Sequence, residues 1–323
     1  MLPHISTFYY GGKDMESVLR YIGKHGINLD YEKEKFKFQT YCEPFSGSFN
    51  TGHILMEDEE FRGKLILNDL DYEIYNFWNC VKNNPKLTYK RIEELILNVL
   101  KANNEDRKRY EITKFAQSAE LESRAAAEYI YRLNTGLHGF NVNSRGFKYS
   151  EHDFILQSRN LQRCELHNLD YTEILHKYDS KETFFYLDPP YDIDRVDNYY
   201  RCNSSFFYHE GLKNELDKLE GKWLVTYNNS YYLHKLYEGY HKYIIGRPMF
   251  NGIYTELVVT NYDKPRHTIA NYICDADDYD LSKLYKPEDN TFEKFIDKLE
   301  GKGLLNVAEV NKSFDDTGFG GIM

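Results

Sequence analysis

The residues best suited to chemistry stand in one run, Phe185-Tyr186-Leu187-Asp188-Pro189-Pro190-Tyr191. The apolar stretch Thr183–Leu187 predicts a short strand, so an acid, two prolines and an aromatic ring follow a strand end. Two prolines hold φ near one value and supply no N–H donors, which makes a rigid, non-helical exit from a sheet. Such an exit presents the Asp188 carboxylate and the Pro189 carbonyl as acceptors at the carboxyl edge, with the Tyr191 ring nearby. An amino group on a planar base could donate to both acceptors while its ring stacks on Tyr191. That would fix a weak nitrogen nucleophile in line with an electrophile. Two prolines after a strand can also be an ordinary chain exit, and the rest of the chain decides between the two.

The elements that must position this run follow from pattern. Residues 15–25 predict a helix. Residues 36–43, with Phe36, Phe38 and Tyr41 among polar residues, predict a strand entering the turn Pro44-Phe45-Ser46-Gly47-Ser48-Phe49. A short helix at 50–58 and a strand at 64–67 come next, the strand ending in Asn68-Asp69. Asp71 is placed to cap a helix in which Ile74, Phe77, Trp78 and Val81 recur at near-helical spacing. Strand, glycine turn, helix, strand, acid is the opening of a doubly wound nucleotide-binding sheet. Residues 86–135 read as helical, with Ile92, Leu95, Ile96 and Val99 on one face and Ala125, Tyr129 and Leu133 on a later one. Gly136, Gly139 and Gly146 break that pattern and make 135–149 a loop or hairpin. The sheet resumes at 165–169, followed by a helix near 171–178, the strand Thr183–Leu187, a loop at 192–207, a helix at 209–219 and a strand at 223–227. Residues 240–246 and 256–261 predict a terminal antiparallel pair, and 291–299 a last helix before a glycine-rich end.

Composition narrows the class. A chain of 323 residues suits one large α/β domain or a core carrying a smaller domain. No run of about 18 apolar residues is present, which excludes a membrane-spanning helix from the expectation, and the start lacks a secretory pattern. Five scattered cysteines, Cys42, Cys80, Cys164, Cys202 and Cys274, with no CxxC pair, point to a reducing compartment and away from a zinc site. The chain has 30 tyrosines and 20 phenylalanines; tyrosine suits base-stacking platforms, although compositional bias is the better account of most of the tyrosines. A net charge of −10 argues against non-specific nucleic-acid binding. The charge is unevenly spread, however: residues 86–162 carry +3 and residues 275–323 carry −6, so the middle segment is the one suited to a phosphate backbone.

With these residues in place, the chain resembles the Dam-type, or D12-class, DNA adenine-N6 methyltransferases over about residues 8–262. The motif order is that of the family: cofactor motif, recognition insertion, then Asp-Pro-Pro-Tyr. Tyr10-Gly11-Gly12-Lys13 resembles the family's Trp-Ala-Gly-Gly-Lys. Glu43-Pro44-Phe45-Ser46-Gly47-Ser48-Phe49 resembles its Glu-Pro-Phe-x-Gly-x-Gly loop, with Phe49 in place of the second glycine. Asn68-Asp69-Leu70-Asp71 resembles Asn-Asp-x-Asn, and Asn168-Leu169-Asp170-Tyr171 the Asp-Phe element after the insertion. Asn141-Val142-Asn143-Ser144-Arg145-Gly146-Phe147 resembles the Arg-x-Asn-x-x-Gly-x-Phe hairpin, with Asn141 at the arginine position and Lys148-Tyr149-Ser150 replacing the usual Asn-x-Pro-Phe-Gly continuation. Tyr227-Asn228-Asn229-Ser230 resembles the strand-end motif beside the target base, and Tyr254-Thr255-Glu256-Leu257 followed by Asn261-Tyr262 resembles the family's last strand.

The resemblance implies an α/β fold: a doubly wound, Rossmann-like methyltransferase sheet that binds S-adenosylmethionine (AdoMet), with an inserted, mainly helical DNA-recognition domain. It divides the chain into a discontinuous catalytic domain at 1–85 and 163–274, an insertion at 86–162 and an acidic extension at 275–323. Asp188, Pro189, Pro190 and Tyr191 are the implied catalytic residues. Tyr10, Lys13, Glu43, Phe45, Gly47, Asp69, Asp170 and Tyr171 are implied for AdoMet, and Asn141, Asn143 and Arg145 for DNA. Asp69 is implied to accept the ribose hydroxyls and Asp170 the adenine amino group, while Phe206 and Phe207 could insert near the DNA or cover the base. No metal is implied. The implied partners are double-stranded DNA and a cognate restriction endonuclease, with no membrane, in the cytoplasm of a bacterial or phage-infected cell. Asp-Pro-Pro-Tyr alone leaves cytosine N4 or RNA adenine as alternative targets, and Phe49 with the altered hairpin leaves a catalytically weak DNA-binding homologue.

Overall fold

The computed structural model describes residues 17–19, 27, 29–58, 60–134, 149–191, 207–249, 252–269, 271–281 and 284. Among these, eight strands form one sheet: β1 (Thr40–Glu43), β2 (Lys64–Asn68), β3 (Cys164–His167), β4 (Thr183–Leu187), β5 (Lys222–Asn228), β6 (His241–Met249), β7 (Gly252–Thr260) and β8 (Tyr272–Asp275). Their spatial order is β3-β2-β1-β4-β5-β7-β6-β8. The first five are parallel, β7 runs antiparallel between β5 and β6, and β8 lies antiparallel on the edge of β6. The sheet is therefore mixed, and the direction of winding reverses between β1 and β4.

Side chains alternate across a strand, so each central strand feeds two cores. Tyr41, Leu65, Leu67, Phe184, Tyr186 and Leu224 face one side. There they meet α2 (Asn50–Glu57) and α3 (Tyr72–Asn83), followed by the helical layer of α4 (Pro85–Lys101), α5 (Glu105–Ala116), α6 (Leu121–Asn134) and α7 (Glu151–Leu161). Cys42, Ile66, Phe185, Leu187, Trp223 and Val225 face the other side, against α8 (Tyr171–Tyr178), α9 (His209–Leu216) and α10 (Tyr231–Leu236). Trp78 and Trp223 anchor the two cores, and burying a large apolar side chain stabilises the fold by about 1.5–3 kcal/mol.

The α4–α7 layer is oriented by polar contacts. Asn84, ahead of α4, donates to Glu122 at the start of α6 over 2.7 Å, and Arg91 of α4 grips Glu120 with two bonds of 2.6 and 2.7 Å. α4 and α6 thus run in the same direction. Arg132 in the last turn of α6 reaches Asp71 at the start of α3 over 2.9 Å, so α6 ends beside the carboxyl edge of β2. The expectations for Asn141, Asn143 and Arg145 lie outside the described residues, as do those for Tyr10, Lys13, Phe206 and helix 291–299. The helix expected at 15–25 falls mostly outside them too.

Several expected boundaries shift. Residues 36–43 are not one strand: α1 (Asp30–Phe36) takes the first position, Lys37 closes it in the left-handed region at φ 48°, and pairing starts at Thr40. The Phe36 ring packs edge-on against Tyr262 at 4.8 Å rather than standing in a strand face. The third strand is Cys164–His167 rather than 165–169, because Asp170 is taken up by the cap of α8. Helix 209–219 stops at Leu216. Four elements were not anticipated: α1, α7, α10 and β8. A Ser150–Asp153 capping box starts α7, so its signal was present in the sequence. β8 is a half-exposed edge strand with little apolar periodicity to announce it.

Candidate active site

β1 and β4 are neighbours whose chains leave toward opposite ends of the sheet, so a crevice opens beyond their carboxyl ends, the usual ligand position in sheets of this kind. The loop after β1 enters it. Ser46 N–H donates to Asn68 O at 2.8 Å, and Gly47 turns with φ 46°. Gly47 N–H donates to Asp69 Oδ2 at 2.9 Å, and Trp78 Nε1 of α3 donates to Gly47 O at 2.8 Å. The glycine is thus held from two sides by groups on other elements.

Phe49 also adopts a left-handed conformation, at φ 58°, immediately before α2. Its ring is buried in the core between His53 at 4.9 Å and Trp78 at 5.8 Å. A Cβ at Gly52 would collide with that ring and lie 3.1 Å from Glu43 Oε1, so Gly52 is the residue that makes room for Phe49. The aromatic side chain therefore fills core, not the loop's open face.

Glu43 ends β1 fully buried. Its Oε1 accepts the Gly52 N–H at 2.6 Å and the Tyr41 hydroxyl. Burial pushes its carboxyl up to about 8, the two hydrogen bonds pull against this, and the nearby Asp188 charge adds to the rise.

The ends of β1, β2 and β3 are stapled by amides. Asn68 donates to Pro44 O and Leu169 O, each at 2.9 Å, and accepts the Leu169 N–H at 2.9 Å. Asn168 donates to Asp69 O at 2.8 Å and Leu70 O at 3.0 Å. Asp69 stands at the centre: Oδ2 holds Gly47 and Oδ1 accepts the Asp71 N–H at 2.9 Å. Burial pushes its carboxyl up to about 6 against those two bonds. Asp71 caps α3 through Glu73 N–H at 3.0 Å, as its position in the sequence predicts.

Asp170 caps α8, accepting the Thr172 N–H at 2.9 Å and the Thr172 hydroxyl at 2.6 Å. The next residue, Tyr171, meets Phe45 at 5.4 Å and Phe207 at 5.7 Å, while Phe45 and Phe207 lie 5.5 Å apart. Three rings from three segments make an aromatic corner beside the Gly47 loop. Phe207 thus lies on the loop side of the crevice.

At the end of β4, Asp188 is half-buried and its Oδ1 accepts the Thr226 hydroxyl of β5 at 3.0 Å. Pro189 is buried and Pro190 half-buried. The Tyr191 hydroxyl donates to Glu256 Oε1 of β7 at 3.5 Å. Tyr227 does not face this crevice: it is fully buried, its hydroxyl 3.4 Å from both His209 Nδ1 and the Tyr237 hydroxyl. Glu43, Phe45, Gly47, Asp69, Tyr171 and the Asp188–Tyr191 run therefore gather along one sheet edge, with Asp170 among them as a cap. Sequence reasoning gave no role to Asn68, Arg132 or Thr226. Thr226 carries a weak signal, a hydroxyl among the apolar residues of a buried strand. Among the described residues, no three His, Cys, Asp or Glu side chains converge as metal ligands.

Residues 9–249 match the family of D12 class N6 adenine-specific DNA methyltransferases. The chain is similar to the Type II methyltransferase M.MjaIII of Methanocaldococcus jannaschii, 25% identical over 272 residues that cover 73% of this chain and 92% of that one. It is also similar to the Type II methyltransferase M.CviBI of Paramecium bursaria Chlorella virus NC1A, 23% identical over 214 residues, covering 62% and 77% of the two chains. With three quarters of its length inside the match, and with the motif residues of that match gathered at one sheet edge, the chain belongs to the D12 class of AdoMet-dependent DNA methyltransferases.

Proposed function

We propose that the protein is a site-specific DNA adenine-N6 methyltransferase that transfers the methyl group of AdoMet to adenine in duplex DNA. The observation that carries the reading is the adjacency of the Asp188–Tyr191 run at the end of β4 and the Glu43–Gly47 loop at the end of β1. The donor set fits the cofactor. A half-buried carboxylate, Asp69, suits ribose hydroxyls, and the Phe45, Tyr171 and Phe207 rings suit a purine face. The turn at Gly47 allows close backbone approach. AdoMet, when bound, supplies an electrophilic methyl carbon on a sulfonium.

The residues of the chain do the rest. The target adenine, flipped from the duplex, donates its amino hydrogens to Asp188 and the Pro189 carbonyl and stacks on Tyr191. Thr226 fixes the Asp188 carboxylate, which orients the amine and stabilises the positive charge that grows on nitrogen during attack. Asp188 need not remove a proton first, since the proton can leave during or after transfer. Residues 1–85 and 163–274 serve as the catalytic domain and 86–162 as the recognition insertion, with 135–149 meeting the duplex through Asn141, Asn143 and Arg145. Duplex DNA is the proposed substrate partner, and a cognate restriction endonuclease the proposed second partner.

The test is incubation with labelled AdoMet and mixed duplex DNA, followed by digestion and nucleoside analysis. N6-methyladenine is the expected product. Labelled N4-methylcytosine without modified adenine overturns the base assignment, and no label in DNA overturns the transferase reading.

A further inference from the structure

Arg132 is the last cation of α6. Its side chain is 3% exposed and lies between two carboxylates, Asp71 at 2.9 Å and Glu128 one turn back on the same helix, itself 0% exposed. Asp71 is committed on all sides. Oδ2 takes the guanidinium, Oδ1 caps α3 through Glu73 N–H, and its own N–H donates to Asp69 Oδ1 at 2.9 Å. Asp69 then holds Gly47 N–H through its other oxygen, also at 2.9 Å. The path Arg132, Asp71, Asp69, Gly47 is an unbroken series of charged or charge-assisted bonds. It runs from the end of the helical layer to the loop after β1.

We propose that Arg132 is a positioning residue for the cofactor site: by fixing Asp71 it fixes the Asp69 carboxylate and, through it, the Gly47 loop. The inference rests on the AdoMet reading above. Its physical basis is that one guanidinium bridges two carboxylates, Asp71 and Glu128, and that Asp71 is bonded in turn to Asp69. Removing the guanidinium takes away the cation that bridges the Asp71 and Glu128 carboxylates. Asp71 then loses the partner that fixes its Oδ2, and its rotation disturbs the cap and the N–H that aims Asp69. The Arg132 charge also helps hold Asp69 ionised, which a carboxylate accepting two ribose hydroxyls requires. Among the described residues, Arg132 reaches the loop through Asp71, so its effect falls on binding rather than on transfer.

The experiment compares native protein, Arg132→Met, Arg132→Lys and Asp71→Asn by calorimetric titration with S-adenosylhomocysteine, with thermal unfolding of the same samples and turnover at varied AdoMet. Arg132→Met is expected to bind about tenfold more weakly, the scale of one lost charged hydrogen bond. The KM for AdoMet should rise while kcat at saturation stays within about twofold, and Arg132→Lys should recover part of the affinity. Asp71→Asn should weaken binding in the same way, and the double variant Arg132→Met, Asp71→Asn should lose no more than the worse single variant, because both cut one path. A folded Arg132→Met protein with a lower melting temperature but native affinity overturns the inference, since that is the mark of a purely structural ion pair. If Arg132→Met does not fold, Asp71→Asn decides by the same comparison. Failure of the native chain to bind S-adenosylhomocysteine overturns the cofactor reading and this inference together.

Discussion

The Gly47 N–H donates to Asp69 Oδ2 across 2.9 Å, so the turn after β1 and the acid after β2 are one hydrogen-bonded unit. Asp69 therefore has two jobs in the proposed site, shaping the loop and accepting the ribose. Asp69→Ala removes both and should weaken S-adenosylhomocysteine binding by at least the cost of one buried polar loss, about 1–3 kcal/mol. Asp69→Asn keeps an acceptor for Gly47 and should cost less. Calorimetric titration of both variants checks this. Equal affinity of Asp69→Ala and native protein would move the ribose acceptor to another residue.

The bond from Thr226 to Asp188 predicts an effect on rate without an effect on binding. Thr226→Val is close in shape and removes the 3.0 Å bond that fixes Asp188 Oδ1, together with the hydroxyl's longer contacts to Leu187 O at 3.3 Å and the Tyr186 hydroxyl at 3.4 Å. Turnover should fall by about tenfold, the worth of one hydrogen bond to a charged group, while S-adenosylhomocysteine affinity stays native. Asp188→Ala should abolish turnover with the same native affinity. Calorimetry paired with single-turnover rates separates the two quantities, and parallel loss of both would place Asp188 in the cofactor site instead.

Phe49 allows a test of packing against backbone strain. Its ring fills core between His53 and Trp78, and its backbone holds φ 58°, a region that costs a residue with a Cβ about 1–3 kcal/mol. Phe49→Ala loses the ring and keeps the strain, so a destabilisation of about 3–5 kcal/mol is expected. Phe49→Gly loses the same ring but relieves the strain, and should be the more stable of the two by about 1 kcal/mol. Urea unfolding gives the order directly. An alanine variant more stable than the glycine variant would show that the turn relaxes once the ring is gone.

The sheet was legible because Thr183–Leu187 and the strands beside it are buried on both faces and read as short apolar runs bounded by turn residues, and the prolines of Asp-Pro-Pro-Tyr mark where the strand stops. The helices of 86–135 were legible for the same reason, since Ile92, Leu95, Ile96 and Val99 form one buried stripe. Residue 36 was misplaced because Phe36, Phe38 and Tyr41 give a plausible strand pattern locally, whereas Phe36 is claimed by Tyr262, more than 200 positions away in the chain. The bonds that shape the site are of that second kind. Thr226 to Asp188 spans 38 positions, Arg132 to Asp71 spans 61 and Asn68 to Leu169 spans 101, and no local pattern announces a partner at such range.

Recognition by residues 135–149 predicts a division between two kinds of contact. If Asn143 or Arg145 reads a base edge, its replacement by alanine should relax preference at one position of the site, with about 1–3 kcal/mol of discrimination lost. If either holds a phosphate, all duplexes should weaken alike and the salt slope should fall by about one. Binding should decline steeply with salt in each case, because affinity follows the +3 balance of residues 86–162 rather than the net −10 of the chain. Binding of Asn143→Ala and Arg145→Ala to cognate and single-mismatch duplexes at two salt concentrations distinguishes these outcomes. Native affinity, discrimination and salt slope in both variants would remove the segment from recognition.

Glu43 predicts how stability depends on pH. Its carboxyl is raised from the ordinary 4.5 to about 8 in the folded chain, chiefly by burial. Between those values the folded chain keeps a proton that the unfolded chain releases, so the folded state binds more protons and loses stability as pH rises. The slope approaches about 1.4 kcal/mol per pH unit, and the loss is complete once pH passes the folded value. Asp69, raised to about 6, adds a slope of the same sign at lower pH. His234, lowered to about 4, contributes the opposite slope between that value and its ordinary 6.5, so the cleanest window for Glu43 is above pH 6.5. Glu43→Gln is a permanently neutral isostere that still accepts the Gly52 N–H. Urea unfolding at pH 6.5, 7.2 and 8 should show the native chain losing stability across the series and Glu43→Gln losing much less, so that the variant is the more stable protein at pH 8. Parallel curves for the two proteins would mean that Glu43 is already ionised in the folded chain at pH 6.5, with a cation or a water holding it there.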